Sequence, residues 1–429
     1  MPASIHRRHF LESSVAGGAA LAFSSQVLLA QDSPSERVVI GVMGLSRGQA
    51  LATGFAKLPG VEVKYVCDVD KNRAASGAQS VANIAGKAPQ AITDFRRILD
   101  DKEVDALACA APNHWHAPAT ILACKAGKHV YVEKPCSHNP REGELMVEAA
   151  RKYNRAVQMG TQRRSSVQTR EAIQALHEGV IGRVYCARSY YNNARGPVGV
   201  GKPATPPSHL DYELWQGPAP RMPYLDNRIH YNWHWFWHWG NGELGNNGVH
   251  ALDICRWGLQ VDFPIRVTSS GGRYRFDDDQ ETPDTHLAAF EFAEEKQISW
   301  QGLSCNRHET NSGFVTFFGE KGALELSGNG AYKIYDERNQ VIKDVKGGGV
   351  GEMEHFANFV AAIRNDKPLD LAAEIAEGHK STLLCHLGNI AHRTNRTLVC
   401  DPTNGHIQGD DEAMQYWSRE YAPGWEPTL

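Results

Sequence analysis

Short apolar runs alternate with stretches of helical composition in the first part of the chain. The apolar runs predict buried strands at 38–43, 61–67, 104–110 and 129–132. The segments between them predict helices at 50–58, 95–99 and 117–126, and Gly127 suits the C-cap of the last one. Strands and helices that alternate in this way indicate a parallel sheet covered on both faces, so residues 37–160 are predicted to form a doubly wound α/β domain.

The pattern changes after about residue 160. The β-rich segments are 183–191, 265–274, 286–292, 298–303 and 314–318, and turn-prone sequence separates them. They predict a large, mostly antiparallel open sheet, to which periodicity at 353–364 and 374–393 adds two helices. Residues 161–402 are therefore predicted to form a second α/β domain, followed by an irregular tail at 403–429.

Length, charge and cysteine content narrow the class of protein. The 429 residues, 41% of them hydrophobic, suffice for two domains. The net charge is −4 and no basic run occurs, which argues against a nucleic-acid partner and favours a small-molecule ligand. The nine cysteines are scattered without a CxxC pair, so neither a zinc knuckle nor a disulfide framework is predicted.

The N-terminal segment resembles an export leader. Arg7 and Arg8 precede a weakly apolar, Gly/Ala-rich run that ends at Ala30. This order predicts a signal peptide at 1–30, and the paired arginines predict the twin-arginine route to the periplasm. No later stretch is apolar enough to span a membrane, so no membrane contact is expected after export. A frayed N-terminus with a chance pair of arginines is the alternative.

The first predicted strand runs into a glycine-containing turn that precedes a helix, Gly41-Val42-Met43-Gly44-Leu45-Ser46-Arg47-Gly48. Backbone N–H groups and the helix dipole bind pyrophosphate in such turns, although positions 46 and 49 lack the glycines of the full dinucleotide fingerprint. Asp68 ends the next strand, where a carboxylate accepts hydrogen bonds from both ribose hydroxyls and repels a 2′-phosphate. NAD is therefore favoured over NADP, and an ordinary turn role for Asp68 is the alternative.

The same turn contains a second pattern. Gly44-x-Ser46-x-Gly48 matches the nucleophile elbow of α/β hydrolases, in the strand, turn and helix context that this motif requires. The hydrolase elbow follows several earlier strands, however, whereas Ser46 comes after the first one. The dinucleotide interpretation is therefore preferred.

A lysine follows the strand predicted at 129–132. The segment Glu133-Lys134-Pro135 stands at the carboxyl end of that strand, where ligands bind in open α/β sheets, and the proline restricts the backbone of Lys134. A partly desolvated amine beside a nicotinamide has a lowered pKa and exchanges a proton with a substrate hydroxyl while hydride leaves its carbon. Lys134 is therefore the predicted acid/base group.

With Pro112, Asn113 and His116 one strand earlier, the Glu-Lys-Pro segment resembles that of the Gfo/Idh/MocA oxidoreductases, over nearly all of residues 38–400. The resemblance implies an N-terminal Rossmann domain, a C-terminal α/β domain with an open sheet, and Lys134 as the catalytic lysine. It places Arg163 at the substrate. The assigned cofactor contacts are Gly44, Ser46, Arg47, Gly48, Asp68, Pro112, Asn113, His116, Glu133, Lys134 and Gln162.

The resemblance continues at 245–253, where Gly-Asn-Asn-Gly-Val-His-Ala-Leu-Asp matches the second-domain signature of the family. His250 falls on the signature histidine and is assigned to catalysis and substrate binding, with a buried structural histidine as the alternative. Asn246 occupies the usual aspartate position. Because an amide cannot take up a proton, a proton relay through it is in question, and Asn246 is assigned to substrate binding. Together with the leader, this segment resembles the exported subgroup of the family.

Residues 231–239 hold four of the ten tryptophans. Aromatic rings stack on the apolar faces of sugars, so Trp233 and Trp235 are assigned to a carbohydrate cleft, with a packed interdomain core as the alternative. His230, His234 and His238 have the spacing of helical metal ligands but lack an interleaved acidic residue, so no metal site is predicted. The long Pro/Gly-rich loop at 196–223 is expected to be functional.

These features predict an exported, NAD-dependent oxidoreductase that transfers hydride between nicotinamide and a hydroxyl-bearing carbon of a sugar or sugar derivative. One alternative is a glycosidase that works by transient oxidation, elimination, hydration and re-reduction on a retained NAD. Another is a carbohydrate-binding protein without turnover. The open sheet is expected to mediate a homodimer or homotetramer.

Overall fold

The computed structural model describes residues 37–308 and 314–429, so the predicted leader at 1–30 lies outside the described residues. The N-terminal part contains a six-stranded parallel sheet made of β1 (Val38–Met43), β2 (Val61–Cys67), β3 (Gln90–Ile92), β4 (Ala106–Cys109), β5 (His129–Val132) and β6 (Val157–Met159). The strand order is β3-β2-β1-β4-β5-β6, which is the order of a Rossmann fold. This order confirms the predicted fold class of the N-terminal part.

Helices cover both faces of this sheet, which explains why every residue of β1 is buried. They are α1 (Arg47–Phe55), α2 (Lys71–Ala85), α3 (Arg96–Asp100), α4 (Asn113–Lys125) and α5 (Pro140–Lys152). The bounds of β1, β2 and β5 are those predicted, whereas α1 and α4 begin before the predicted residues 50 and 117. The sequence analysis missed α2, α5, β3 and β6. Helix α2 buries only Ala74, Gly77 and Val81, so its apolar stripe is too thin to detect.

The C-terminal part contains a ten-stranded sheet. Its strands are β7 (Val184–Ala194), β8 (Arg266–Gly272), β9 (Thr285–Phe292), β10 (Lys296–Leu303), β11 (Cys305–Asn306), β12 (Val315–Gly319), β13 (Gly322–Leu326), β14 (Tyr332–Asp336), β15 (Val341–Val345) and β16 (Leu398–Val399). The order is β15-β14-β13-β12-β7-β10-β9-β8-β16, with β11 paired to β7. Only the β7–β10 pair among them is parallel, so the predicted mostly antiparallel sheet is confirmed.

One face of this sheet is covered by helices. The C-terminal helices are α6 (Val167–His177), α7 (Tyr212–Gln216), α8 (Val249–Leu259), α9 (Glu352–Arg364), α10 (Ile375–Thr394) and α11 (Asp411–Met414). Strand β9 alternates buried and less buried positions because α8 and α10 contact only one face. Large apolar side chains such as Tyr185 and Leu287 are exposed on the sheet. Assembly through this sheet stays a prediction.

Segments from the end of the chain pack against the Rossmann part. Phe356 of α9 lies 4.5 Å from Phe55 of α1, measured between ring centroids. In the predicted irregular tail, Arg419 forms an ion pair with the buried Glu142 at 2.9 Å, and Trp425 contacts Trp115 edge-to-face. The C-terminal segment therefore packs against helices α4 and α5 of the Rossmann part. Within 37–308 and 314–429, no helix is long and apolar enough to cross a membrane.

Candidate active site

A cleft of about 330 Å³ opens at the carboxyl ends of β1, β4 and β5, against the C-terminal part. Ligands bind at this edge in doubly wound sheets, where the strand order reverses. The cleft brings together most of the predicted site residues, namely Gly44, Ser46, Arg47, Asp68, Pro112, Asn113, His116, Glu133, Lys134, Gln162, Trp233, Asn246 and His250. Gly48, Arg163 and Trp235 are not among the residues that line it.

The two glycines of the first turn have different roles. Gly44 has φ +84°, and a Cβ there would lie 2.6 Å from the carbonyl oxygen of Ala110, so only glycine fits. Gly48 is buried within α1, where a Cβ would come within 3.3 Å of side-chain atoms of Ala110 and Val42. Gly48 therefore packs the helix onto the sheet, and a cofactor contact through its backbone stays a prediction.

Asp68 lines the cleft beside the first turn. Its Oδ2 accepts a hydrogen bond from the backbone N–H of Leu45 at 2.7 Å, and its Oδ1 accepts one from Asp70 at 2.9 Å. Burial raises the pKa of Asp68, while these two backbone donors oppose the rise. The carboxylate is therefore both a turn residue and a lining group, since each oxygen retains a free lone pair.

Arg47 links the first turn to two carboxylates. Its Nε donates to Glu133 Oε1 at 3.0 Å, and its Nη2 donates to Glu352 Oε2 of α9 at 2.8 Å. Burial alone would lower the pKa of Arg47, but the two carboxylates outweigh it and the pKa is raised. Arg47 therefore lines the cleft as a guanidinium that is paired with the carboxylates of Glu133 and Glu352.

Lys134 directly follows β5, and its ammonium group reaches across the cleft to the C-terminal part. Its Nζ donates to the backbone oxygen of Asn246 at 2.8 Å and to Asn246 Oδ1 at 3.3 Å. Desolvation is the main cause that lowers the pKa of Lys134, and the positive charges of Arg47 and Arg163 lower it further. The carboxylates of Glu133 and Glu243 raise it. An amine in this position with a lowered pKa can exchange a proton with a group bound in the cleft.

Asn246 lies in a π-helical turn, Leu244–Gly248, that leads directly into α8. Such turns are frequent at functional sites because they redirect side chains. The Asn246 Nδ2 donates to Oε1 of the buried Glu243 at 3.4 Å, and Arg195 Nε donates to Glu243 Oε2 at 2.7 Å. The sequence analysis missed Glu243, and its buried position one turn before Asn246 has no signal in the local pattern.

Two histidines adjoin Lys134 in the cleft. His250 has no hydrogen-bond partner at its buried Nδ1, and burial, followed by Arg163 and Lys134, holds its pKa well below the usual value. His116 lies between two backbone oxygens, those of Pro135 at 2.6 Å and Ala111 at 2.7 Å, while burial lowers its pKa. His250 is thus a neutral group with an unused nitrogen, whereas His116 holds the loop around Lys134.

The aromatic segment divides between the cleft and the core. Trp233 lines the cleft and stacks on His234 at a centroid distance of 3.6 Å. Trp235 is buried with Arg195 4.8 Å from its ring, so it packs in the core of this structure, and its contact with substrate stays a prediction. Trp239 is fully buried.

The three spaced histidines of this segment do not converge. His230 Nε2 lies 3.1 Å from Asp70, His234 Nδ1 lies 2.6 Å from the oxygen of Tyr231, and His238 Nε2 lies 2.8 Å from the oxygen of Pro220. Across 37–308 and 314–429, no group of three or more His, Cys, Asp or Glu side chains could hold a metal ion.

The long loop covers the nucleotide end of the cleft. The backbone of Asp211 donates to the oxygen of Val69 at 3.0 Å, and that of Lys71 donates to His209 at 3.0 Å, which fastens the loop to the end of β2. Trp215 of α7 then lines the cleft. The cleft is also lined by residues that the sequence analysis did not assign to cofactor or substrate, which include Val69, Arg73, Thr93, Phe95, Trp115, Leu214, Trp215, His230, Tyr231 and His234. For Leu214 and Trp215, the length of the loop was the available signal.

Arg163 lies beside the cleft rather than in its lining. Its guanidinium stacks on Phe314 at 4.7 Å and donates to the oxygen of Gly328 at 3.2 Å. Burial lowers the pKa of Arg163 to about 10. Its charge acts on Lys134 and His250, and a direct contact of Arg163 with substrate stays a prediction.

The residues of the cleft fit a nicotinamide dinucleotide. Gly44 allows the first turn to pack closely against the backbone of Ala110, the N-terminus of α1 faces the same turn, and Asp68 lines the cleft at the end of β2. Lys134, Asn246 and His250 form the opposite end. When bound, a nicotinamide supplies the capacity to accept or donate hydride.

Two family models match the chain. Residues 36–161 match the one described as oxidoreductase family, NAD-binding Rossmann fold. Residues 197–426 match the one described as oxidoreductase family, C-terminal alpha/beta domain. The chain belongs to the Gfo/Idh/MocA oxidoreductase family, which confirms the family resemblance and the predicted NAD-binding domain.

Curated relatives share part of the sequence. A glycosyl hydrolase family 109 protein of Shewanella sp. (strain MR-4) is 26% identical over 44% of this chain and 46% of its own length. Levoglucosan dehydrogenase of Pseudarthrobacter phenanthrenivorans is 27% identical over 42% of each chain. Inositol 2-dehydrogenase 2 of Saccharopolyspora erythraea is 32% identical over 51% of each chain. The matched region thus spans about half the length of these relatives.

Solved structures share the fold over most of the chain. Levoglucosan dehydrogenase in complex with NADH and levoglucosan aligns with a TM-score of 0.65 and 19% identity, over 85% of this chain and 99% of its own. The WlbA dehydrogenase of Bordetella pertussis with NADH and UDP-GlcNAcA aligns with a TM-score of 0.63 and 18% identity, over the same shares of both chains. At these identities the likeness supports the fold alone.

Proposed function

We propose that this protein transfers hydride between NAD and a hydroxyl-bearing carbon of a sugar or sugar derivative. The observation that carries the proposal is the position of Lys134, whose Nζ lies in one cleft with Gly44 and Asp68 on one side and Asn246 on the other. The dehydrogenase relatives named above, which act on levoglucosan and inositol by name, support this class of substrate.

The chain's own residues divide the work of the reaction. Lys134 exchanges the proton of the substrate hydroxyl, because its lowered pKa makes the neutral amine accessible. His250 offers a neutral ring with a free Nδ1 to a second hydroxyl. Trp233 provides an apolar ring face against which a sugar ring can stack.

Glycoside cleavage with a nucleotide retained between turnovers is the second candidate. The specific observation in its favour is the loop hydrogen-bonded to Val69 and Lys71, whose Leu214 and Trp215 line the cleft. A loop held in this position would slow the exchange of a bound nucleotide. The glycosyl hydrolase family 109 relatives support it by name. A retained nucleotide would also suit an exported enzyme, because NAD is made in the cytoplasm.

One experiment separates these functions. The purified protein is denatured to identify any released nucleotide, and the native protein is incubated with NAD and a panel of sugars and aryl glycosides. Net formation of reduced nicotinamide with a free sugar supports the oxidoreductase. Aglycone release without net reduced nicotinamide supports the glycosidase. Tight sugar binding without either product, unchanged in Lys134→Ala, would leave a carbohydrate-binding protein and refute both enzymatic proposals.

We also propose that the protein belongs to an exported subgroup and works in the periplasm. The support is the order of Arg7, Arg8 and the apolar run in the sequence. A homodimer or homotetramer through the C-terminal sheet is proposed from the exposed Tyr185 and Leu287.

A further inference from the structure

A series of hydrogen-bonded side chains leads from Arg195, directly after β7, to the candidate acid/base lysine. Arg195 binds Glu243 through its Nε at 2.7 Å, Glu243 accepts from the Asn246 amide at 3.4 Å, and Asn246 Oδ1 accepts from Lys134 at 3.3 Å. These hydrogen bonds connect the buried carboxylate of Glu243 to Lys134 through the side-chain amide of Asn246. The carboxylate is not itself among the lining residues of the cleft.

The two oxygens of Glu243 share one partner, Arg195, which donates from Nε to Oε2 at 2.7 Å and from Nη2 to Oε1 at 3.4 Å. Only Oε1 also accepts from side-chain amides, those of Asn246 and Asn247. An ionised carboxylate only accepts hydrogen bonds, so it selects the amide orientation in which Nδ2 of Asn246 faces Glu243. The acceptor atom Oδ1 is then left facing the ammonium group of Lys134.

We propose that Glu243 is the positioning residue for Lys134: it orients the Asn246 amide toward Nζ and supplies the negative charge that an amide at position 246 lacks. This inference rests on the proposed function, in which Lys134 exchanges a proton with the substrate. Among the described residues, Nζ donates hydrogen bonds only to the backbone oxygen and the neutral side-chain amide of Asn246. A carboxylate one turn earlier therefore takes the electrostatic role.

The electrostatics of the cleft agree with this geometry. Glu243 raises the pKa of Lys134 against the dominant lowering by desolvation, as Glu133 also does. Glu133 shares its charge with Arg47. The charged or titratable groups that act on Lys134, or on which Lys134 acts, are Arg47, His116, Glu133, Arg163, His234, Glu243, His250 and Cys385.

The test measures the pKa of Lys134 without using turnover. The purified full-length protein is labelled with a trace of acetic anhydride across a pH series, and mass spectrometry quantifies acetylation of Lys134. In Glu243→Gln, we expect the pKa of Lys134 to fall by about one unit, because a nearby opposite charge is lost. The acidic limb of the kcat/KM profile should move to lower pH by the same amount, because the neutral amine is the base.

Glu142→Gln is the matched control, because Glu142 is also a buried carboxylate paired with an arginine, Arg419, but lies outside the cleft lining. It should leave the pKa of Lys134 unchanged even if it costs stability. Restoring a carboxylate nearby, in Glu243→Gln with Asn246→Asp, should return the pKa toward the wild-type value. A merely structural role for Glu243 would leave the pKa of Lys134 unshifted in Glu243→Gln itself.

The proposal is overturned if Glu243→Gln and wild type label identically across pH. If Glu243→Gln does not fold, Glu243→Asp decides, because it keeps the charge but withdraws it from the Asn246 amide. The pKa of Lys134 should then lie below the wild-type value, and an unchanged pKa would refute the positioning role. A shift of the Lys134 pKa in a protein that oxidises no sugar would support the positioning role while refuting the proposed function, so the two failures can be told apart.

Discussion

Nε of Arg47 lies 3.0 Å from Oε1 of Glu133, and this ion pair joins the turn after β1 to the segment after β5. Glu352 of α9 completes the contact at 2.8 Å from Arg47 Nη2. The nucleotide turn, the lysine segment and a C-terminal helix are thus connected through one guanidinium. Because Glu133 is paired, its charge does not fully offset the desolvation of the adjacent Lys134, whose pKa remains lowered.

Replacing Lys134 tests the acid/base assignment. In Lys134→Ala, turnover should fall by about 10²- to 10⁴-fold, which is the usual loss on removal of a general acid/base. The nucleotide should remain bound, because Gly44 and Asp68 are unchanged. Steady-state kinetics and nucleotide released on denaturation measure the two effects. Lys125→Ala, an exposed lysine on α4, is the control, and a Lys134 variant with near-control turnover would contradict the mechanism.

Alanine substitutions at two glycines with positive φ, Gly44 and Gly86, distinguish the cost of backbone strain from that of a steric clash. In Gly44→Ala, the added Cβ would meet the oxygen of Ala110 at 2.6 Å, so both stability and nucleotide binding should be lost. Gly86 has φ +70° with nothing within 4 Å of the added Cβ, so Gly86→Ala should cost only about 1 kcal/mol. Urea unfolding and nucleotide titration compare the two variants. Equal effects would show that the close approach at Gly44 is unimportant.

Asp68 should govern the choice of nucleotide. We expect the wild type to bind NAD more tightly than NADP, because the carboxylate accepts from ribose hydroxyls and repels a 2′-phosphate. Asp68→Asn should narrow this preference by about tenfold, the worth of one charged hydrogen bond. Asp105→Asn is the control, since Asp105 also accepts a backbone N–H, that of Val39, at 2.8 Å. Calorimetric NADP binding at least equal to NAD would point to Ser46, Arg47 or Lys71 instead.

Buried neutral histidines should make the protein sensitive to acid. Burial lowers the pKa of His355 and His379 to about 4 and that of His286 and His386 to about 3, from 6.5. The unfolded chain therefore binds protons first, so stability is complete above pH 6.5 and falls as the pH drops toward 4.

Each such histidine contributes a slope of up to about 1.4 kcal/mol per pH unit in this window. Urea midpoints measured across the pH range should therefore fall steeply below pH 6.5. His386→Gln should reduce the slope, and His308→Gln, at an exposed position, should not. A pH-independent midpoint would contradict the burial of these rings in neutral form.

Export should depend on the paired arginines. Arg7→Lys with Arg8→Lys should leave folded protein in the cytoplasm, whereas the wild type should be found outside it, cleaved near Ala30, with nucleotide bound. The reason is that the twin-arginine route carries folded proteins and the nucleotide is made in the cytoplasm. Cell fractionation with a nucleotide assay provides the measurement. Wild-type protein confined to the cytoplasm would refute the localisation, and exported protein without nucleotide would weaken the glycosidase candidate.

Local pattern determined the parts of the protein whose cause is local. β1, β2 and β5 were predicted with their observed bounds, because buried parallel strands are continuous apolar runs. Lys134 could be singled out because it adjoins such a strand, and strand ends in an open α/β sheet are where ligands bind. The second sheet was predictable from alternation, since only one face of β9 and β10 is packed.

The tertiary structure alone decided which side chains meet. Trp233 and Trp235 have the same chemistry two positions apart, yet Trp233 reaches the cleft and Trp235 packs under Arg195. Glu243 approaches Lys134 only because the helix before α8 packs against the end of β5. The contact between Lys134 and Asn246 joins residues 112 positions apart. It depends on how the two sheets assemble, which no local periodicity encodes.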